Sequence, residues 1–118
     1  MSDQISWQVT LAVKPGELDS FRALTNEMVA STRDEPGVLI YERFVSGDGT
    51  LVYLYERYVD SSAAAAHLRT FRKQYGARFA TMVDRKSFTV CGTPSDELRQ
   101  ILDDMGVLYA SPCGGFSR

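Results

Sequence analysis

Two consecutive segments of this chain, Val38–Val45 and Leu51–Tyr58, are rich in β-branched and aromatic residues and apolar on both faces. Val38, Ile40 and Phe44 oppose Leu39, Tyr41 and Val45, while Leu51, Tyr53 and Tyr55 oppose Val52, Leu54 and Tyr58. Strand side chains point alternately to opposite sides, so a sheet built on these segments has to be covered twice. Ser46-Gly47-Asp48-Gly49-Thr50 joins the two as a hairpin loop. Ile5–Val13 differs from both. Ile5, Trp7, Val9, Leu11 and Val13 point one way and Ser6, Gln8, Thr10 and Ala12 the other, a strand with one buried face.

Helical spacing fills the intervals. Pro15-Gly16 closes the first strand, and Pro suits the first turn of a helix. Leu18, Phe21, Leu24, Met28 and Val29 then recur at helical spacing to about Arg33, where Glu35-Pro36-Gly37 stops the helix. A longer helix starts at Asp60 or Ser61 and carries an apolar stripe of Ala64, Leu68, Phe71, Tyr75, Phe79 and Met82, with Gly76 as a kink or break. Lys86–Gly92 reads as a fourth strand. The order β-α-β-β-α-β predicts an α+β, ferredoxin-like domain over residues 1–93, an antiparallel sheet with two helices on one face. Residues 94–118 form an appendix. Thr93-Pro94-Ser95-Asp96-Glu97 opens a helix with Leu98, Ile101, Leu102 and Met105 on one side, Gly106 ends it, and Val107–Ala110 adds a short strand before the tail. This appendix is expected to pack on the same domain or on a dimer partner.

Two helices cover one face of such a sheet, so the second face needs another cover. It is either the C-terminal helix or a second copy of the chain. One short helix covers too little, and a homodimeric barrel of two sheets packed face to face is the expectation.

With 118 residues, 44% of them hydrophobic, the chain suits one domain. Thirteen Lys and Arg against fifteen Asp and Glu give a net charge of −2, the wrong sign for a nucleic-acid surface. No apolar run approaches the roughly 18 residues of a membrane span, and Met1–Trp7 lacks a signal-peptide pattern, so a cytoplasmic protein without a membrane partner is expected. Cys91 and Cys113 are too few for a disulfide framework or a zinc site. There is no Gly-rich phosphate loop, no Gly-x-Ser-x-Gly elbow and no His or Cys cluster, and neither a metal nor a cofactor is expected.

Val13-Lys-Pro-Gly-Glu-Leu-Asp-Ser-Phe21, Thr32-Arg-Asp-Glu-Pro-Gly37, Tyr41, Leu54-Tyr-Glu56 and Ala66-His67-Leu68 occur in an order that resembles the antibiotic biosynthesis monooxygenase family, across most of residues 5–92. The resemblance implies a dimeric α/β barrel with a pocket between sheet and helices in each subunit. Members of that family oxidise anthrones, quinols and related polycyclic phenols with O2 and no metal or flavin; others degrade haem. The haem-degrading branch uses an asparagine on the first strand, a tryptophan on the helix after the third strand and a downstream histidine. Here the first strand offers Trp7 and Gln8, His67 sits near the tryptophan position and no second histidine follows, so haem degradation is not expected. The expected function is oxidation of a small aromatic, anthrone-, phenol- or quinol-like, by O2 in a homodimer. The alternative is a non-catalytic small-molecule-binding or stress-related dimer of the same fold.

Cofactor-free oxygenation needs a base to deprotonate an electron-rich substrate, a dry pocket and donors for the developing oxyanion. His67, the lone histidine, is the candidate base. It lies at the border of its helix's buried face, where it reaches a pocket or simply bonds a backbone group or Glu56. Trp7, Tyr41, Tyr53, Tyr55, Phe71 and Tyr75 are candidates to line a slot for a flat ring, although aromatics also serve as plain core filler. Thr25, on the apolar stripe of the first helix, either lines a polar patch of the cavity or bonds its own helix. Arg43 and Arg57 stand in strands next to Glu42 and Glu56, as cross-strand ion pairs at a dimer face or, less simply, as a pocket arginine on a phenolate. Arg69, Arg72, Lys73, Arg85 and Lys86 read as a solvated basic face.

Overall fold

The computed structural model describes residues 2–118. Its elements run β1 (Ile5–Val13), α1 (Leu18–Thr32), β2 (Val38–Val45), β3 (Leu51–Tyr58), α2 (Ser61–Gln74), α3 (Gly76–Met82), β4 (Val83–Cys91), α4 (Asp96–Asp103) and β5 (Leu108–Ala110). The sheet order is β2-β3-β1-β4-β5, antiparallel except for the parallel β4–β5 pair. This is the ferredoxin-like α+β arrangement, extended by α4 and β5.

The local chemistry explains the boundaries. Asp48 organises the β2–β3 loop: its Oδ1 accepts from Ser46 Oγ at 2.8 Å, Thr50 N at 3.0 Å and Thr50 Oγ1 at 2.7 Å. Those bonds bring its pKa down to about 2. Asp60 caps α2 by accepting from Ala63 N, and Ser95 caps α4 by accepting from Leu98 N. Gly76 breaks the second helix outright. Tyr75 at the junction has non-helical φ/ψ, and α3 restarts from it.

Strand β4 starts three residues earlier than its sequence pattern indicates. After the buried Val83, residues 84–87 are polar and exposed, which conceals the alternation. A register shift explains the pattern: Thr10 pairs with Ser87 but Leu11 with Arg85, so Lys86 is an extra, bulged residue. A second shift falls between Val38 and Ile40 and leaves Leu39 as the extra residue of β2. Val38 therefore shares the inner face with Tyr41, Arg43 and Val45, and Ile40, Glu42 and Phe44 hold the outer face.

Ile5, Trp7, Val9 and Leu11 of β1, Val52, Leu54 and Tyr58 of β3, and Val83, Phe88 and Val90 of β4 form one core with Phe21, Ala64, Ala65 and Leu68. Leu98 and Leu102 join this same core, and α4 rests against α2, where Ser95 N donates to Ser61 Oγ. The C-terminal helix thus lies on the helix side of the sheet and leaves the other face open. On that open face Phe44 is 55% exposed and Tyr53 44%. No helix among the described residues is long and apolar enough to cross a membrane.

Candidate functional site

Between the inner face of the sheet and helices α2 and α3 lies a cavity of about 280 Å³. Val9, Leu11 and Leu54 make its apolar floor; Leu68, Phe71 and Phe79 make its roof. Its polar wall consists of Trp7, Tyr41, Arg43, Glu56 and His67, and Arg85 and Met105 stand at the other end.

Glu56 is the centre of the polar wall. It points inward because it follows Leu54 by two residues on β3, and its side chain is 6% exposed. Oε1 accepts from Trp7 Nε1 at 2.8 Å and from the Tyr58 hydroxyl at 2.5 Å; Oε2 accepts from Arg43 Nη2 at 2.7 Å. Burial alone would raise the pKa of this carboxyl. The Arg43 guanidinium, then His67, and the hydrogen bonds from Tyr58 and Arg43 outweigh burial and hold it below the usual carboxylate range. The same burial, reinforced by Glu56, drives the Tyr58 phenol far up, so Tyr58 is a neutral donor.

Arg43 lies over the Tyr41 ring, with 3.6 Å from its guanidinium carbon to the ring centroid. Burial pushes the Tyr41 phenol up to about 12 against the pull of Arg43. The Arg43 side chain is 8% exposed, yet its Nε has no hydrogen-bond partner.

His67 is held from both sides. Nδ1 stands 3.2 Å from both oxygens of Glu35, and Nε2 faces Glu56 Oε1 at 3.8 Å, beyond hydrogen-bond range. A neutral ring carrying its proton on Nδ1 would donate to Glu35 and leave the Nε2 lone pair free. The Glu-Pro-Gly turn makes this contact possible. A Cβ on Gly37 would sit 2.6 Å from the Cβ of Ala63, and Ala63 is one helical turn before His67 on the same face of α2. Glycine at 37 lets the turn press against α2, and the turn delivers Glu35 to the imidazole.

Of the residues singled out in the sequence, the structure brings His67, Trp7, Tyr41 and Phe71 together around the cavity. Four others lie elsewhere, among them Tyr53, which stands on the outer face of β3 and is largely exposed. Tyr55 has the opposite strand parity and faces outward, where its hydroxyl accepts from Arg57. Tyr75 lies at the α2–α3 junction beside Arg78, because the break at Gly76 takes it off the stripe. Thr25 sits on α1 with a buried, unpartnered Oγ1 and does not reach the cavity. Glu42 and Arg43 point to opposite faces, and the ion pair that forms, Arg43–Glu56, is on the inner face and not the outer one. Arg57 meets Gln4 and Tyr55. Arg85 stays solvent-exposed with the rest of the basic set but also lines the cavity. Glu35, read only as part of a helix stop, and Glu56 are the residues sequence reasoning undervalued. The parity of Glu56 with Leu54 and Tyr58 was the available signal; the Glu35 contact spans 32 residues and had none. Among the described residues no group of three or more His, Cys, Asp or Glu side chains converges as a metal site.

Comparison with known proteins adds the following. A model of the antibiotic biosynthesis monooxygenase family matches residues 5–73. Rv0793 of Mycobacterium tuberculosis, a putative monooxygenase by name, is 32% identical over 68 residues, spanning 53% of this chain and 67% of that protein. Its solved structure superposes with a TM-score of 0.59 at 27% identity, over 79% of this chain and 96% of that one. MupZ from Pseudomonas fluorescens superposes with a TM-score of 0.88 over 99% of this chain and 96% of its own, at 23% identity. That likeness is one of fold, and it extends through α4, β5 and the tail.

Proposed function

The chain belongs to the antibiotic biosynthesis monooxygenase family, and on that premise we propose that it oxidises a small electron-rich aromatic, a phenol, quinol or anthrone, with O2 in the cavity between sheet and helices. His67 carries the reading. Its Nδ1 is engaged by Glu35, while its Nε2 makes no hydrogen bond and belongs to the wall of a largely apolar cavity. A carboxylate on one imidazole nitrogen fixes the ring and favours a base at the other.

In this reading Nε2 takes the phenolic or enolic proton of the bound ring. The aryloxide passes an electron to O2, and the radical pair joins to a hydroperoxide. Loss of water turns an anthrone methylene into a carbonyl: one oxygen atom enters the product, the other leaves as water, and the substrate supplies all four electrons. Trp7, Tyr41 and Phe71 flank the ring, and the apolar floor keeps bulk water from the anion. The working form is a cytoplasmic, cofactor-free homodimer joined through the outer face of the sheet. Residues 94–118 act as an extension of the 1–93 domain that brings Met105 to the Arg85 end of the cavity.

Oxygen uptake by metal-free protein over a panel of anthrones and hydroquinones tests this. His67→Ala is expected to lower turnover by about 10²- to 10⁴-fold, the usual worth of a positioned base. Turnover unaffected by His67→Ala removes the base from His67. Ligands that raise the melting temperature but are never converted identify a binding protein instead.

A further inference from the structure

We propose that the cavity is built for an aromatic acid, a flat substrate whose phenolic oxygen docks on Arg43 at the closed end and whose carboxylate docks on Arg85 at the mouth. The inference rests on the reading of this cavity as a substrate site and narrows the class of substrate.

Three observations carry it. The first is the unpartnered Nε of Arg43. A guanidinium has five donors in a planar fork, and a buried donor left without an acceptor costs free energy. Glu56 takes only Nη2, and the Nη1 donor goes to the exposed Glu42 carbonyl oxygen at 3.3 Å. Nε stays free in a side chain that lines the cavity and is more than nine-tenths buried. A substrate oxygen completes the set.

The second is the β-bulge at Lys86. Strict alternation along β4 from the buried Phe88 and Val90 would place Lys86 on the inner face and send Arg85 outward. The extra residue reverses the parity, so that Arg85 pairs with the inward Leu11 and lines the cavity. Bulges are devices for aiming side chains beside functional sites. Arg85 remains solvent-exposed, lies over the Phe88 ring with 5.4 Å to its centroid, and donates to the Met105 carbonyl oxygen. Among the described residues no carboxylate forms an ion pair with it.

The third is spacing and charge. Arg43 lies across from Leu54, which pairs with Val9, while Arg85 pairs with Leu11, the next inward position of β1. The two arginines therefore stand on strands three spacings apart, roughly 14 Å across the sheet, and one inward position out of line. Between them the floor is apolar. The wall holds one carboxylate, Glu56, already spent on Arg43, so the mouth carries an unbalanced positive charge. A flat apolar body with an acceptor oxygen at one end and an anion at the other matches this layout; a neutral hydrocarbon-like ring leaves both arginines unanswered.

Calorimetric titration of the full chain with 6-hydroxy-2-naphthoate, its methyl ester and 2-naphthoate tests the proposal without requiring turnover. The hydroxy acid is expected to bind at least about tenfold more tightly than its ester, the size of one charge-assisted hydrogen bond. Arg85→Gln should bring the acid down to the affinity of the ester. Arg43→Lys keeps a cation for Glu56 but removes Nε, and should abolish the advantage of the hydroxy acid over 2-naphthoate. Acid and ester binding alike, an acid preference that survives Arg85→Gln, or no naphthalene binding at all would each overturn the proposal. The two readings separate cleanly. Acid-selective binding without oxygen uptake from any substrate defeats the monooxygenase and leaves the acid site; oxygen uptake from neutral phenols as readily as from acids does the reverse.

Discussion

The two faces of strand β3 have the same alternation and similar residue types, but different fates. Inward, Val52, Leu54, Glu56 and Tyr58 are all buried, and even the charge among them is fully partnered. Outward, Tyr53, Tyr55 and Arg57 stay partly or largely exposed beside Phe44 and Ile40 of β2. The inner face is finished within one chain, by helices and by an acid that satisfies its neighbours. The outer face is aromatic and aliphatic without a cover, as in a core divided between two copies. A polar residue inside and apolar residues outside invert the simple rule. On this sheet the inversion marks the site and the expected interface.

The largest expected effect falls on the inner face. Glu56→Ala leaves Arg43 buried without its counter-charge and leaves the Trp7 and Tyr58 donors unpaired. Urea unfolding should show a loss of about 3–5 kcal/mol. Glu56→Leu with Arg43→Met removes both charges and should recover much of that loss, since an apolar pair of similar volume is often neutral. A double variant as unstable as Glu56→Ala alone would mean that the carboxylate acts mainly through Trp7 and Tyr58. On the outer face, Phe44→Asp places a charge in the apolar patch and should cost association about 2 kcal/mol or more, while the monomer fold, measured by circular dichroism, is retained. Sedimentation should report twice the chain mass for the parent and one chain mass for the variant at micromolar concentration. A monomeric parent would sink the homodimer.

The smaller Gly37→Ala change joins the faces to the turn that serves the site. Its new methyl meets Ala63 at 2.6 Å and Val59 at 3.3 Å, so the turn or α2 has to give way. A destabilisation of about 1–3 kcal/mol is expected, together with slower turnover as Glu35 moves off His67. Full turnover with reduced stability would assign Gly37 to packing only.

Element order, the hairpin loop between β2 and β3, the start of α2 at Asp60 or Ser61 and the helix break at Gly76 were legible in the sequence because each is written in local residues. Trp7 and Phe71 were legible for the same reason, since period-two and helical spacing point them inward, and His67 was legible as a residue at the border of its stripe; Tyr41, on a strand apolar on both faces, carried no signal for which face it takes. What escaped were the two strand bulges, which change parity without any sequence marker such as glycine. Leu39 and Lys86 are ordinary strand or surface residues, and the inward turn of Arg85 follows only from the pairing register. Tyr55 was misplaced because a strand apolar on both faces does not say which face meets the helices. Glu35 escaped because its role is a contact between distant segments.

An effect of similar size tests how the inner face holds its charge. Tyr58→Phe removes one donor to Glu56 and should cost about 1.5–3 kcal/mol at pH 7, where a hydrogen bond to a charged group has its full worth. The sign of the pH dependence follows from the depressed pKa of Glu56. Its contribution is complete above the unfolded carboxyl value of about 4.3 and is lost as pH falls through the lower folded value. Removing the Tyr58 bond takes away one cause of the depression, so less is left to lose in acid. The stability gap between parent and Tyr58→Phe should therefore be widest at neutral pH and narrow below about pH 4, measured by urea unfolding at pH 7, 4 and 3. A gap that stays constant over that range would show that Tyr58 contributes through its ring packing on Trp7, 4.6 Å between centroids, and not through the carboxylate.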